Sequence, residues 1–475
     1  MTLPFSSKKT KVVCTLGPST DNPKILERML KAGMDVARLN FSHGNNSEHA
    51  ARVKSIRQAA KKIGKVIAIL QDLPGPKIRL GKLHKQQIIL KSGQRIYFTS
   101  SPPFSDSRLP LDSPLLVKTI QSGENIYLAD GAIRLVVLRA KNREILAEVQ
   151  NDGVISSASG VNLPDTNLFG PGFYQSDKPH ILFGLKQGVD WIALSFVGSA
   201  ENLRAVRKIC DRHRKGVMLL AKIERQLALQ YLDQILAEAD GVMVARGDLG
   251  IEIPLSQVPL VQKEIIARCN KASKPVIVAT QMLESMVNNP RPTRAEATDV
   301  ANAVLDGADA VMLSAETAVG RFPIQAVEVL SQISLETEKV FPYETYLERA
   351  WPSTRLETSF AIGYAACSTA RSIGAKAIVV PTRSGRTALL VAEFRPSQPI
   401  VALTRTDLVQ RQLALVWNVF PVRNRIWHSL PAVTQVCRQV VREMGLGRQG
   451  DKLVMTSGFP IEAPGGTNLI QVVSL

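Results

Sequence analysis

The sequence predicts an α/β protein: a (β/α)8 TIM barrel, an all-β lid domain inserted after the third barrel strand, and a C-terminal α/β domain. Three observations carry this. Eight short, continuously apolar runs alternate with amphipathic stretches. Between the third and fourth runs lies a block of short β-like segments separated by turn signals. After about residue 346 the pattern changes again.

The eight runs are residues 11–16 (KVVCTL), 36–40 (VARLN), 66–70 (VIAIL), 191–196 (WIALSF), 217–223 (VMLLAKI), 241–245 (GVMVA), 276–279 (VIVA) and 310–313 (AVML). Runs that are apolar throughout, rather than alternating, fit strands covered on both faces, as in a parallel sheet. Helix-like stretches such as 22–32, 47–62, 202–212 and 258–271 lie between them. Together they predict a barrel built from residues 1–72 and 173–345.

The insert, residues 73–172, contains QQIIL, RIYFT, NIYLA, IRLVVL and EILAEV, punctuated by Ser92-Gly93, Asp130-Gly131 and Asn151-Asp152-Gly153. Such punctuation reads as a small β domain. It leaves the barrel at a strand end, where barrel enzymes build their sites, so a lid is expected. Residues 346–475 open with a helix-like stretch, 358–373, and continue as a separate α/β domain.

The chain of 475 residues carries a formal net charge of +18. Lys and Arg are spread along its whole length and aromatic residues make up only 5%, so stacking platforms for nucleic acid are scarce. A basic surface that steers phosphorylated metabolites is the expectation, with no nucleic-acid partner. No apolar run approaches a membrane span, and MTLPFSSKKTKVVC has no secretory apolar region, so no membrane partner and a cytoplasmic location are expected. The five cysteines are scattered, with neither zinc-ligand spacing nor a disulfide framework.

Residues able to do chemistry fall at the trailing ends of the strands. Arg38, Asn40, Ser42 and His43 close the second and Asp72 the third. Ser195 ends the fourth, and Lys222 and Glu224 the fifth. The sixth runs into Arg246-Gly247-Asp248, the seventh into Thr280, and the eighth into Ser314 and Glu316. Lys222 and Glu224 are two apart on a strand and therefore share a face. Two carboxylates, Glu224 and Asp248, suit Mg²⁺ or Mn²⁺. Lys222 beside them, with Arg38 and Arg79 as clamps, suits a transferring phosphoryl group. For Lys222 and Glu224 taken alone, a structural ion pair is an equal reading. A metal-dependent aldolase or lyase, and a non-enzymatic scaffold, are the competing functions.

In the last domain, Thr382-Arg383-Ser384-Gly385-Arg386-Thr387 follows an apolar strand and precedes a helix-like stretch. Hydroxyls, a glycine and backbone N–H groups at a helix start suit an anion.

At these residues the chain resembles the pyruvate kinase family over essentially its full length. The motifs are KVVCTLGPST, MDVARLNFSHG, GPKIR, GVNLP, ALSFV, AKIE, ARGDLGIEIP, ATQMLESM and the long PRPTRAEATDVANAVLDGADAVMLSAETAVGRFP, with TRSGRTA and GGTN in the last domain. The resemblance implies transfer of phosphate from phosphoenolpyruvate to ADP, giving pyruvate and ATP. It implies a divalent metal at Glu224 and Asp248, and Lys222 stabilising the phosphoryl group. Thr280 matches the position where the enolate is protonated. Arg38, Gly247, Asp248 and Thr280 are then substrate-binding, and Asn40, His43 and Arg79 nucleotide-binding. Residues 382–387 match a loop for a phosphorylated effector, and a homotetramer is implied.

Three departures stand out. The family's common form needs K⁺ and carries a threonine and a glutamate where this chain has Leu73 and Lys77. A lysine ammonium near Asp72 would take the place of K⁺ in a region formed with Asn40 and Ser42, so K⁺ independence is expected. Arg225 replaces an asparagine after AKIE and adds a charge beside the site, and Ser159 replaces a lysine before GVNLP.

Overall fold

The computed structural model describes residues 8–75, 78–111, 114–129, 131–141, 143–166, 174–349, 357–424, 429–460 and 466–475. Lys77, and residue 172 at the expected far boundary of the insert, lie outside these described residues.

Strands β1 (Lys11–Thr15), β2 (Val36–Asn40) and β3 (Ala68–Asp72) open the barrel. The chain then leaves it for β4 (Gln87–Leu90), β5 (Arg95–Thr99), β6 (Arg108–Pro110), β7 (Asn125–Leu128), β8 (Ile133–Lys141), β9 (Glu144–Val149), β10 (Gly153–Ser156) and β11 (Val161–Asn162). It returns through β12 (Trp191–Leu194), β13 (Met218–Ile223), β14 (Gly241–Ala245), β15 (Val276–Ala279) and β16 (Ala310–Leu313). All barrel neighbours are parallel, and the ring closes in the order β1-β16-β15-β14-β13-β12-β3-β2, as the continuous apolar runs predict.

Strand periodicity decides what the barrel interior holds. Val13, Val36, Leu70, Ala193, Leu220, Met243, Ile277 and Met312 form one buried interior cluster. Side chains two residues on along the same strands share that inward face and lie nearer the C-terminal rim. The rule therefore delivers Thr15, Arg38, Asp72, Ser195 and Lys222 to one place. The helices between strands are started and stopped locally. Helix Asn46–Ile63 begins where the Asn45 side chain accepts from Ser47 and Glu48 N–H groups, and it ends at Gly64 with φ +70°. Helix Arg294–Leu305 begins with a reciprocal Thr293 and Glu296 capping box.

The insert forms a six-stranded sheet, β11-β7-β8-β9-β5-β6, beside the pair β10-β4, around its own apolar core. One difference from the all-β reading is a short helix, Pro114–Thr119. Its first residue is a proline, which suits a first helical turn because the N–H it lacks has no helical partner there anyway.

The last domain carries β17 (Ile378–Pro381), β18 (Ile400–Thr404), β19 (Val419–Arg423), β20 (Lys452–Ser457) and β21 (Leu469–Ser474). They are ordered β19-β18-β17-β20-β21, with only β21 antiparallel. This domain plugs the barrel's far end. Leu415 joins the barrel's interior cluster, Lys11 donates to the Val419 carbonyl at 2.8 Å, and Arg395 pairs with Asp309 at 2.8 Å in full burial. With that end sealed, the C-terminal rim under the insert is the open face. Among the described residues no helix is long and apolar enough to cross a membrane.

Candidate active site

Lys222 is the centre of the rim. Its ammonium lies 2.8 Å from Glu224 Oε1, 3.2 Å from Asp72 Oδ1 and 2.7 Å from Ser195 Oγ. The Ser195 hydroxyl donates its own proton to the Leu73 carbonyl at 2.7 Å, so it is fixed as an acceptor for Lys222. Asp72 is nearly inaccessible and also accepts from Arg38 Nε at 2.7 Å, while Arg38 reaches Thr15 Oγ1 at 2.8 Å. Five strands thus contribute to a single charged network, and each side chain reaches it by the inward parity of its strand.

Burial works against charge on Lys222, but Asp72 and Glu224 more than offset it, so the ammonium is held above its ordinary range and stays cationic. Burial also opposes ionisation of Asp72, and there Lys222 and Arg38 win, lowering it. Glu224 is raised, first by burial and then by Asp248, against the pull of Lys222. One oxygen of Glu224 accepts the Phe196 N–H at 2.7 Å.

Asp248 sits in the first turn of helix Arg246–Glu252, which starts directly at the end of β14. It is half-buried, and no described residue donates to its carboxylate. Two neighbouring carboxylates, Asp248 with no donor and Glu224 raised by burial and then by Asp248, are chemically suited to a divalent cation. Among the described residues no three His, Cys, Asp or Glu side chains converge as a metal-binding group. A divalent cation such as Mg²⁺ or Mn²⁺ at this pair would take two ligands from the protein and the rest from substrate oxygens and water.

Thr280 follows β15 with φ +71°, a conformation costly for a β-branched residue and met mainly at functional positions. Its hydroxyl accepts the Gly247 N–H at 2.9 Å and donates to the Ala279 carbonyl at 2.6 Å. Arg246 supports this turn by donating to the Thr280 carbonyl at 2.6 Å and pairing with Asp299. Lys222, Glu224, Asp72 and Arg38 are therefore brought into direct contact, and Thr280 and Gly247 are joined on the neighbouring helix start.

Other expected site residues stand further out. Asn40 accepts the Ser42 N–H at 3.1 Å, and Ser42 and His43 are exposed in the turn after β2. Arg79 is exposed on the insert and donates to the Ala158 carbonyl at 3.0 Å, apart from the Lys222 network. Glu316 belongs to the scaffold: fully buried, it accepts the N–H groups of Leu283 and Ser314. Two neighbours escaped the sequence reading. Thr15 was signalled only by its parity with Val13. Asp177, at the start of helix Lys178–Gln187, carried no signal at all; it accepts the Gly75 N–H, and burial pushes its carboxyl up to about 6.

In the last domain, Thr382 Oγ1 accepts the Gly385 N–H at 3.0 Å, and Gly385 has φ +88°. Arg383, Ser384 and Arg386 are exposed around the start of helix Arg386–Glu393, and Thr387 shares a hydrogen bond with Thr467 at 2.9 Å.

Comparison with known proteins agrees with this layout. Residues 7–327 match the family model for the pyruvate kinase barrel domain, and residues 360–473 match that for the pyruvate kinase alpha/beta domain. The chain is 42% identical over 469 residues to a pyruvate kinase of Geobacillus stearothermophilus, covering 98% of this chain and 80% of the relative. It is 41% identical over 470 residues to that of Sporosarcina psychrophila, with the same coverage. A crystal structure of a pyruvate kinase from Cryptosporidium parvum superposes with a TM-score of 0.92 at 36% identity, covering 98% of this chain and 96% of that one.

Proposed function

The chain belongs to the pyruvate kinase family of phosphotransferases, and from that premise we propose that it passes the phosphoryl group of phosphoenolpyruvate to ADP at the Lys222 rim, releasing pyruvate and ATP. The observation that carries this is the Lys222 network. A buried, permanently charged ammonium, oriented by Asp72, Glu224 and Ser195, stands beside a pair of carboxylates suited to a divalent metal.

In this reading a β-phosphate oxygen of ADP attacks phosphorus, the bond from phosphorus to the enol oxygen breaks, and the enolate takes a proton at carbon. Lys222 and Arg38 neutralise the equatorial oxygens while the group is between donor and acceptor. Thr280, held by Gly247, stands at the carbon to be protonated, and Gly247 and Asp248 complete the substrate side. A Mg²⁺ or Mn²⁺ ion held by Glu224 and Asp248, when bound, supplies further charge neutralisation at the phosphoryl oxygens. Asn40, His43 and Arg79 line the nucleotide side, and the insert closes over them to exclude water.

Two further features belong to the proposal. Lys77 takes the role of K⁺, in a region with Asn40, Ser42 and Asp72, supported by the buried Asp72 carboxylate at the end of β3. Thr382, Arg383, Ser384, Gly385, Arg386 and Thr387 bind a phosphorylated activator, supported by two exposed arginines around a helix start. A cytoplasmic homotetramer is proposed from the same family relationship.

The test is pyruvate formation from phosphoenolpyruvate and ADP, with K⁺, divalent metal and sugar phosphates varied in turn. Pyruvate should appear only with ADP and a divalent metal, with no steep dependence on K⁺. Sugar phosphate or AMP should sharpen phosphoenolpyruvate saturation in the wild type and not in Arg386→Ala. Pyruvate formation without ADP would sink the main reading, and an unaltered response in Arg386→Ala would sink the effector site.

A further inference from the structure

Arg225 is the residue after Glu224, and its guanidinium is almost wholly buried (3% exposed). Its Nη2 donates to the Leu163 carbonyl at 2.9 Å and to the Thr166 carbonyl at 3.2 Å. Its Nε lies 3.7 Å from Glu252 Oε2, and that carboxylate side chain is 5% exposed. A buried guanidinium is tolerated only where carbonyls and a counter-charge replace the lost water. Here these come from two separate places, the returning end of the insert and the helix of Asp248, while Arg225 itself follows the strand of Lys222.

The partners are chosen tellingly. Leu163 belongs to the insert's apolar core, and Thr166 is fixed to it by a 2.6 Å hydrogen bond to Glu124. Arg225 therefore holds the insert's body and not a loose connector. Glu252 lies four residues after Asp248 on helix Arg246–Glu252, so the two share a helix face. The same helix meets the insert a second time. Gly131, at φ +89°, packs so tightly that a Cβ there would lie 3.2 Å from Ile251 Cγ2.

We propose that Arg225 is a positioning residue that joins the Glu224 and Asp248 carboxylate pair to the lid, so that metal affinity and lid position are set together. It reaches no reacting atom. It fixes the helix that presents Asp248 against the strand that presents Glu224, and by the same side chain it fixes the angle at which the insert returns to the barrel. An asparagine at this position is shorter and uncharged, and a lysine presents its three N–H groups from one atom, without the fork by which Nη2 meets the carbonyls while Nε faces Glu252.

The inference rests on reading Glu224 and Asp248 as metal ligands. The test uses the full chain as wild type, Arg225→Asn, Arg225→Lys and the double variant Arg225→Gln with Glu252→Gln, which leaves no unpaired buried carboxylate. Without metal, amide exchange at residues 161–166 should be about tenfold faster in Arg225→Asn, with the barrel strands unchanged. Mn²⁺ affinity should fall on the order of tenfold, as for other groups that orient ligands from behind. KM for ADP should rise more than kcat falls, with Arg225→Lys intermediate and the double variant also loosened. Unchanged exchange and Mn²⁺ affinity in Arg225→Asn would overturn the proposal, and so would faster exchange spread evenly over the barrel. If wild type itself bound no Mn²⁺, the ligand assignment would fail, whereas Mn²⁺ held equally by wild type and Arg225→Asn would sink the latch alone.

Discussion

Asp72 stands 3.2 Å from the ammonium of Lys222 through one carboxylate oxygen while its other oxygen takes Arg38 Nε at 2.7 Å. One buried anion thus sets the spacing of the two cations assigned to the phosphoryl group. Asp72→Asn keeps the shape and removes the charge, leaving two buried cations short of a counter-ion. Loss of one partner of a buried pair costs about 3–5 kcal/mol. Thermal unfolding should show that loss. Steady-state kinetics should show kcat/KM for phosphoenolpyruvate lower by roughly a hundredfold or more. Wild-type kinetics in Asp72→Asn would mean that Lys222 and Arg38 need no such spacer.

Thr280 separates chemistry from folding cleanly. Thr280→Val has nearly the same volume and the same backbone penalty at φ +71°, but it cannot accept the Gly247 N–H or exchange a proton. The thermal midpoint should move little, because Gly247 is exposed and water can satisfy its N–H. The rate of pyruvate release should fall by roughly a hundredfold if the hydroxyl assists proton transfer. Thr280→Ser should recover most of it.

What the sequence made legible follows from the range of the interactions. Lys222 and Glu224 could be paired because two residues along a strand is a local rule, and Asp248 followed because the next strand is its neighbour in a parallel barrel. The eight apolar runs announced the strands, although β3 lies two residues later than expected and so carries Asp72 within it. Arg225 is different. From the sequence it is one more charge, because Leu163 and Glu252 come to it only through the return path of the insert. Asp177 is equally silent, since its meaning lies in the approach of Gly75 from another segment. Arg79 suits a phosphate clamp by its charge, but its hydrogen bond to the Ala158 carbonyl depends on strand pairing in the insert and is not legible locally.

Glu393 predicts a pH effect on stability that arises outside the Lys222 network. It ends helix Arg386–Glu393, is bonded to Ser273 of the barrel, and is only 8% exposed. Burial pushes its carboxyl up to about 7, with Ser273 and Arg395 pulling the other way. The folded state therefore holds this proton more tightly than the unfolded chain does. The group's contribution to stability is complete below the unfolded value near 4.5 and is lost as pH rises to about 7. Glu393→Gln keeps the hydrogen bond to Ser273 and abolishes the titration. Its stability should be flatter with pH, exceeding that of wild type at pH 8 by an amount on the order of 2–3 kcal/mol. Denaturant unfolding at a series of pH values checks this, and parallel curves for the two proteins would refute it.

Lys77 gives the sharpest test of cation use. Near Gly75, two carboxylates are buried: Asp72, paired with Lys222 and Arg38, and Asp177, whose Oδ2 takes no hydrogen bond. The Gly75 N–H binds Asp177, and Asp72 adds to the upward push on the Asp177 carboxyl, so the two acids feel one another. Such a pair favours a cation close by, and Lys77 lies two residues beyond Gly75 in the chain. Lys77→Glu replaces an ammonium by a further carboxylate and removes that internal charge. The variant should be nearly inactive without monovalent salt and should regain activity as K⁺ is added, whereas wild type responds little. Lys77→Met, neutral and of similar length, should be impaired and only partly rescued, because it removes the charge but adds no ligand. Equal K⁺ titrations for wild type and Lys77→Glu would show that the ammonium does not act in place of the ion.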